Sequence, residues 1–461
     1  MNPSLVVLVT RRPKRWKRQM IAALRSRGVD VVVVTRIEEC SPGERVLDLR
    51  AAATRAKARL PLARSWSVEI GEEYGDMPAF GEALRGSESV EAALVERAPD
   101  ARVLRQGCFP YASRHARTLE RVVQQSAAWI CEELESPARR SAPEQWKDAA
   151  PAERIGLVDA VRFAFRELVR FAGHALRAVF EDVRWDVAVT NGSLERFIEN
   201  PRNAWLHWVA RDEREFLADP FVMRGESGGP RLLCETMNGS TPSIVSIDLD
   251  DRYGERRPVL DGLDAASYPY VFEVDQELWL TPEQHARGSL GAYRMSGLEA
   301  EPVTAILEGV AAVDPTIIRH DGRWWLFCTL ADDGPNYALR IYWSEHPGGP
   351  WHAHKRNPAK VDVRGARPAG NFFLRGGVLH RPAQDCSGRY GRAIAIQRVD
   401  VLTPEDFEEA CVARIDVSMI ARRDAIGVHT LSHGHGWVAL DAQFARWSLR
   451  KPLRMLQARF T

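Results

Sequence analysis

The chain has no CxxC pair, no Gly-rich phosphate loop, no uninterrupted apolar run near the ~20 residues of a membrane span, and almost no net charge. Each absence excludes something. The seven cysteines (40, 108, 131, 234, 328, 386 and 411) are odd in number and scattered, so they read as reduced thiols rather than a disulfide framework or zinc site. Net charge of +1 gives no reason to expect nucleic acid as a partner. The apolar stretch Leu5–Val9 is followed at once by basic residues, which is the wrong order for a signal peptide. A cytoplasmic protein is expected, with peripheral membrane association the open alternative. No cofactor or metal is indicated. The first thirty residues are rich in Arg and Lys, and a solvated helix face accounts for them.

What is present is enough chain for two or three domains: 461 residues, 45% hydrophobic and 27% charged. Residues 1–36 read strand, helix, strand. Leu5–Val9 and Val31–Val34 are continuous apolar runs of the kind buried parallel strands use, and Trp16, Met20 and Leu24 form a helical stripe that Gly28 ends. An α/β domain is expected over residues 1–150, with residues 40–150 read as short helices and loops because Ala, Arg and Glu dominate. A linking helix is expected over 151–184. Its stripe (Ile155, Val158, Val161, Phe165, Leu168, Ala172, Leu176, Val179) would pack on neighbours, with Arg154, Arg162, Arg166, Arg170 and Arg177 largely on the other side. The alternative is a basic amphipathic helix at a membrane surface.

From Trp185 the texture turns to β, and a repeat appears. Ala218-Asp219-Pro220-Phe221-Val222 resembles Ser267-Tyr268-Pro269-Tyr270-Val271, Val313-Asp314-Pro315-Thr316-Ile317 and Ala366-Arg367-Pro368-Ala369-Gly370. The prolines recur at intervals of 49, 46 and 53 residues. Strand runs follow each of the first three, and a weaker fifth unit starts at Val428-His429-Thr430. Such a period predicts an all-β five-bladed β-propeller over 185–461, with Trp185–Val189 closing the ring. A β-sandwich has no reason to repeat one Pro-led start.

The innermost strand of each blade begins near the propeller axis. The residues before the prolines should therefore converge: Asp219, Tyr268, Asp314 and Arg367, with His429 from the fifth unit. Paired carboxylates suit acid–base or nucleophilic work on a sugar. Asp219 is read as base or nucleophile, Asp314 as second carboxylate and Glu235 as general acid. Glu235 lies 15 residues after Pro220 and Glu283 14 after Pro269, with Thr329 at the matching place in the third unit. Glu273, Asn371 and Gln384 join Tyr268 and His429 as candidate substrate contacts, and Arg367 and Arg381 would hold an anionic group. The plain alternative is that Asp-Pro starts strands for turn reasons and that the arginines form structural pairs.

The run through these segments, together with Gly349-Pro350-Trp351 and Arg381-Pro382-Ala383-Gln384-Asp385-Cys386, resembles the N-terminal domain of the glucosamine inositolphosphorylceramide transferase family. That domain is similar to the five-bladed furanosidase propellers of arabinanases and xylosidases. The resemblance covers roughly residues 185–445. It implies carbohydrate chemistry: glycosyl or phosphoglycosyl transfer from a sugar donor to a glycan or glycolipid acceptor, with glycoside hydrolysis or simple sugar binding as alternatives. Bacterial relatives carry a degraded formyltransferase-like N-terminal half, which residues 1–36 fit. The formyltransferase Asn-x-His pair and its Ser-Leu-Leu-Pro partner are absent, so formyl transfer is not expected. Tyr268-Pro269 stands where the arabinanase pattern has a second Asp-Pro.

Overall fold

The computed structural model describes residues 3–41, 44–51, 54–55, 65–74, 76–97, 102–135, 155–212, 215–225, 228–239, 241–250, 254–259, 265–420, 422 and 424–452. They fall into two compact units, Met1–Ala178 and Val179–Thr461.

The first unit holds a six-stranded mixed sheet in the order β2-β1-β3-β4-β5-β6. Strands β1 (Ser4–Leu8), β2 (Asp30–Val34), β3 (Val46–Asp48) and β4 (Ser65–Ile70) are parallel. The expected strand–helix–strand start is present, with α1 (Arg15–Ser26) burying Trp16, Met20 and Leu24. Residues 40–150 depart from the expected short helices and loops. Strands β5 (Ser89–Glu96) and β6 (Arg102–Pro110) form an antiparallel hairpin, and it packs against the 21-residue α3 (His115–Glu135), which follows the short α2 (Phe80–Arg85). Ala and Glu are helix formers in isolation, but Val90, Ala92 and Leu94 face a core that only an extended strand can reach. Residues 136–150 of that expectation, and 151–154 of the expected helix over 151–184, lie outside the described residues. Helix α4 spans Leu157–Phe180, and none of its residues is buried, so its stripe does not pack as expected.

The second unit is a five-bladed propeller. Blade 1 comprises β9 (Ala218–Arg224), β10 (Pro230–Asn238), β11 (Thr241–Asp248) and β12 (Arg256–Val259). Blade 2 comprises β13 (Ser267–Val274), β14 (Glu277–Glu283), β15 (Ser289–Ser296) and β16 (Glu299–Glu308). Blade 3 has β17 (Ala312–His320), β18 (Arg323–Leu330), β19 (Ala338–Ser344) and β20 (His352–Ala353), with β21 (Lys360–Val361) also on β19. Blade 4 has β22 (Phe373–Arg375), β23 (Val378–Asp385), β24 (Ala393–Leu402) and β25 (Phe407–Asp416). Blade 5 closes the ring. Its β26 (Ala425–Gly427), β27 (Leu431–Gly434) and β28 (Trp437–Trp447) come from the C-terminal end, while β7 (Glu181–Asn191) and β8 (His207–Trp208) come from the start. The expected closing strand is thus β7, paired antiparallel with β28 from Trp437↔Asn191 to Trp447↔Glu181. Aromatic and branched side chains fill the spaces between blades: Phe221 meets Tyr268 and Tyr270 edge-on, and Phe327 meets Phe372.

Candidate active site

The Pro-led repeats have a local cause. Asp219, Tyr268 and Asp314 adopt left-handed backbone angles, with φ of 47°, 44° and 49°. Non-glycine residues pay for that conformation, and here it recurs at one place in three blades. Each lies in a β-bulge between the first and second strands of its blade. The bulge turns the side chain toward the axis.

Carboxylates on second strands support two of these bends from the neighbouring blade. Asp441 Oδ2 accepts the Asp219 backbone N–H at 2.9 Å, and Glu283 Oε2 accepts that of Asp314 at 2.9 Å. Asp441 also accepts the backbone N–H groups of His429 (3.2 Å) and Thr430 (2.9 Å), and its Oδ2 lies 2.7 Å from His429 Nδ1. Thr430 Oγ1 donates to Asp219 Oδ1 at 2.5 Å, and His429 Nε2 stands 3.7 Å from the same oxygen. Trp185 stacks on the His429 ring at 3.8 Å. Burial opposes charge on His429, yet the Asp441 and Asp219 carboxylates outweigh it and raise its pKa.

Asp219 and Glu235 are hydrogen-bonded to one another. Burial raises both, and Glu235 rises further because the Asp219 charge adds to it, whereas His429, Thr430 and Glu235 itself favour the charged form of Asp219. The pair therefore holds its proton on half-buried Glu235, with Asp219 as the carboxylate.

From the segment ahead of blade 4, Arg367 forks onto Asp314 of blade 3, Nε to Oδ2 at 2.6 Å and Nη2 to Oδ1 at 3.1 Å. Its remaining bonds go to Asn336 Oδ1 (3.2 Å) and Tyr390 Oη (3.3 Å). Gln384 Nε2 donates to Asp314 Oδ2 at 2.7 Å. Burial pushes the Asp314 carboxyl up to about 8 against the pull of Arg367, with the Glu283 and Asp219 charges pushing the same way as burial. Burial also pushes Glu283 up, but the His285 hydrogen bond, the Arg367 charge and the Asp314 bonds overcome it and leave Glu283 below its ordinary value. Tyr268 is fully buried, with Oη 3.0 Å from Thr316 Oγ1 and accepting the Gly370 N–H at 2.8 Å, so it ties blade 2 to blade 3 and to the segment that leads into blade 4.

The structure thus gathers Asp219, Glu235, Tyr268, Asp314, Arg367, Gln384 and His429 in one connected network. Three other expected contacts lie elsewhere. Glu273 is exposed beside the β13–β14 turn, five residues and roughly 17 Å along the strand from Tyr268. It lines a different cavity of about 270 Å³ with Asp275, Arg319 and Asn371. Asn371 bonds His433 through its amide, Nδ2 to the carbonyl at 3.0 Å and Oδ1 from the N–H at 3.1 Å. Arg381 is buried against Glu409 (2.7 and 2.6 Å) and the carbonyls of Gly365 and Ala366, an ion pair inside blade 4.

Glu283, a general-acid candidate by its spacing, joins the site, and residues not assigned a role from the sequence complete it: Asp441, Thr430, Trp185, Tyr390 and His285. Counting along second strands finds Glu283 and Gln384, but blade 5 lacks the leading proline that would have started the count to Asp441. Asp219, His429 and Asp441 could converge on a cation, their ligand atoms lying within 4.8 Å of one another. Asp441 already accepts three backbone N–H groups and faces His429 Nδ1, so a metal would have to displace them.

Residues 213–438 match the family described as glucosamine inositolphosphorylceramide transferase 1, N-terminal. The protein of that name from Oryza sativa subsp. japonica is 32% identical over 221 residues, covering 43% of this chain and 28% of the rice protein. The Arabidopsis thaliana protein is 34% identical over 209 residues, covering 42% and 27%. The chain therefore spans less than a third of the length of these curated relatives. Among solved structures, the exo-β-1,3-galactanase 1,3Gal43A from Clostridium thermocellum aligns with TM-score 0.36 and 13% identity over 47% of this chain and 52% of its own. The catalytic domain of the Coprinopsis cinerea α-L-arabinofuranosidase aligns with TM-score 0.39 and 15% identity over 58% and 98%. The similarity to the glucosamine inositolphosphorylceramide transferase 1 N-terminal family lies over residues 213–438, all of them within the propeller unit.

Proposed function

We propose that the propeller mouth is a carbohydrate site that performs glycosyl transfer by acid–base catalysis, from a sugar donor to a glycan or glycolipid acceptor. The observation that carries this is the Asp219–Glu235 pair, two carboxyls sharing one proton beside a third carboxyl, Asp314, whose geometry Arg367 and Gln384 fix. Glu235 gives its proton to the leaving oxygen as the bond from that oxygen to the sugar carbon breaks. Asp219 takes the proton of the acceptor hydroxyl as the acceptor oxygen bonds to that carbon. The pair ends with the one proton it began with. Glu283, held ionised below its ordinary value, supplies negative charge for the positive charge that develops on the ring. The names of the plant relatives, which are transferases for a sugar on a phosphorylceramide lipid, support transfer and a glycolipid acceptor. Seven free cysteines support a reducing, cytoplasmic setting.

Glycoside hydrolysis is the second reading, and Arg367 favours it. Its guanidinium is engaged by Asp314, Asn336 and Tyr390, which leaves it poorly placed to grip a donor phosphate. The test is incubation of the protein with labelled nucleotide sugars and lipid-linked sugars, each with glycan or glycolipid acceptors, beside aryl glycosides without acceptor. Transfer that Asp219→Asn or Glu235→Gln lowers by at least about 100-fold supports the proposal. Sugar released to water with no acceptor selects hydrolysis. Glycan binding without turnover by any donor or glycoside rejects catalysis at this mouth.

A further inference from the structure

Helix α4 is mounted with its apolar side outward. Leu157, Val161, Phe165, Leu168, Leu176 and Val179 are between 40% and 82% exposed. The opposite side grips the first unit. Phe163 stacks on Phe80 at 5.0 Å, Arg170 lies 4.0 Å over the Tyr111 ring and donates to the Ser87 carbonyl, and Glu167 accepts the His115 N–H at 2.7 Å. A stripe of this kind normally supplies the packing energy of its helix, and here it supplies none within the described chain.

We propose that α4 lies in the plane of an anionic bilayer surface, with this stripe among the lipid chains. Two observations select a bilayer over a second copy of the chain. At about 100° per residue, the apolar positions cover roughly half the helix circumference, from Phe171 round to Val169. A two-helix seam uses a narrower stripe with charges beside it, whereas a helix lying in a lipid surface buries such an arc whole. The charge balance is also basic: Arg162, Arg166, Arg170 and Arg177 against Asp159 and Glu167, a net of +2 (four minus two). The propeller unit carries the same combination by itself. Phe180 stacks on Trp447, which is 61% exposed, and Leu449 is 85% exposed between Arg446, Arg450 and Lys451. Tryptophan beside basic residues suits the headgroup layer of an anionic leaflet. No described helix is long and apolar enough to cross a membrane, so the contact is one of lying on the surface.

The inference stands apart from the carbohydrate reading, and the test separates them. The full chain is floated with phosphatidylcholine vesicles and with vesicles containing about 30% phosphatidylserine. Leu168→Glu and Phe165→Glu are run alongside, since exposed side chains let both variants fold. Flotation with the anionic vesicles, weakened about tenfold or more by either variant and several-fold by salt of about 0.5 M, is the expected result. Absence of flotation overturns the proposal. So does a lipid-free dimer in analytical ultracentrifugation that either variant dissolves, because a second copy would then own the face. Any activity on soluble substrates should be the same in both variants and the parent chain.

Discussion

The proton on Glu235 has a consequence for stability. In the unfolded chain Glu235 ionises near about 4.3, whereas in the fold burial and the Asp219 charge hold its proton well above that. The folded chain retains a proton that the unfolded chain would release. Its contribution is therefore full below about 4.3 and is lost as pH rises through the folded value. Glu235→Gln keeps the shape and cannot ionise, so its stability advantage should widen between pH 5 and pH 8 in urea unfolding. A constant or shrinking difference would contradict the assignment of the proton. Asp441 is the opposite case, an acceptor whose bonds are structural. Asp441→Ala leaves the buried N–H groups of Asp219, His429 and Thr430 without their acceptor and should cost at least about 3 kcal/mol in the same assay. At this scale the sequence was readable where a residue preceded a repeated proline. It misled at Arg381, whose Arg-Pro-Ala context copies Arg367. Gln384 points to the axis, and Arg381, an odd three residues earlier, projects from the other face of the strand.

Single elements show which patterns carry information. The blades were legible because three of them begin with the same bulge, and a strained backbone angle restricts the residues that can make it. The β5–β6 hairpin was not, because the Ala and Glu residues of β5 gain their preference for extension from the neighbours they face rather than from their own composition. For α4 the periodicity gave the stripe correctly but could not say what covers it. Strand β23 shows how one element serves two tasks: Gln384 reaches the site, while Arg381 pairs with Glu409, which Lys360 also contacts at 2.7 Å. Arg381→Met would leave Glu409 buried beside Lys360 alone, and a loss of about 3–5 kcal/mol is expected from chemical denaturation. Loss of stability with unchanged turnover at saturating denaturant-free conditions would mark Arg381 as part of the frame. A selective loss of turnover with normal stability would place it in the site after all.

On the scale of the whole propeller, the site depends on ring closure. Trp185, on β7, supports His429, which is supplied by blade 5, while Asp441 on β28 holds the bend at Asp219 in blade 1. These groups meet only because β7 pairs with β28, whose residues lie some 250 positions further along the chain. Contacts so distant in sequence cost loop-closure entropy before they give anything back, so closure should come late in folding and its loss should open the site along with the ring. Ala188 tests this. It is fully buried opposite Leu440, between the apolar residues of blade 5 and the neighbouring blade. Ala188→Asp places a charge there with no partner, and a loss of at least about 3 kcal/mol is expected, together with loss of ligand binding or turnover at the mouth. Val183→Asp, on the same strand but 41% exposed, should change stability by no more than about 0.5 kcal/mol. Equal effects at the two positions, read from urea unfolding by tryptophan fluorescence, would mean that the β7–β28 seam does not hold the ring.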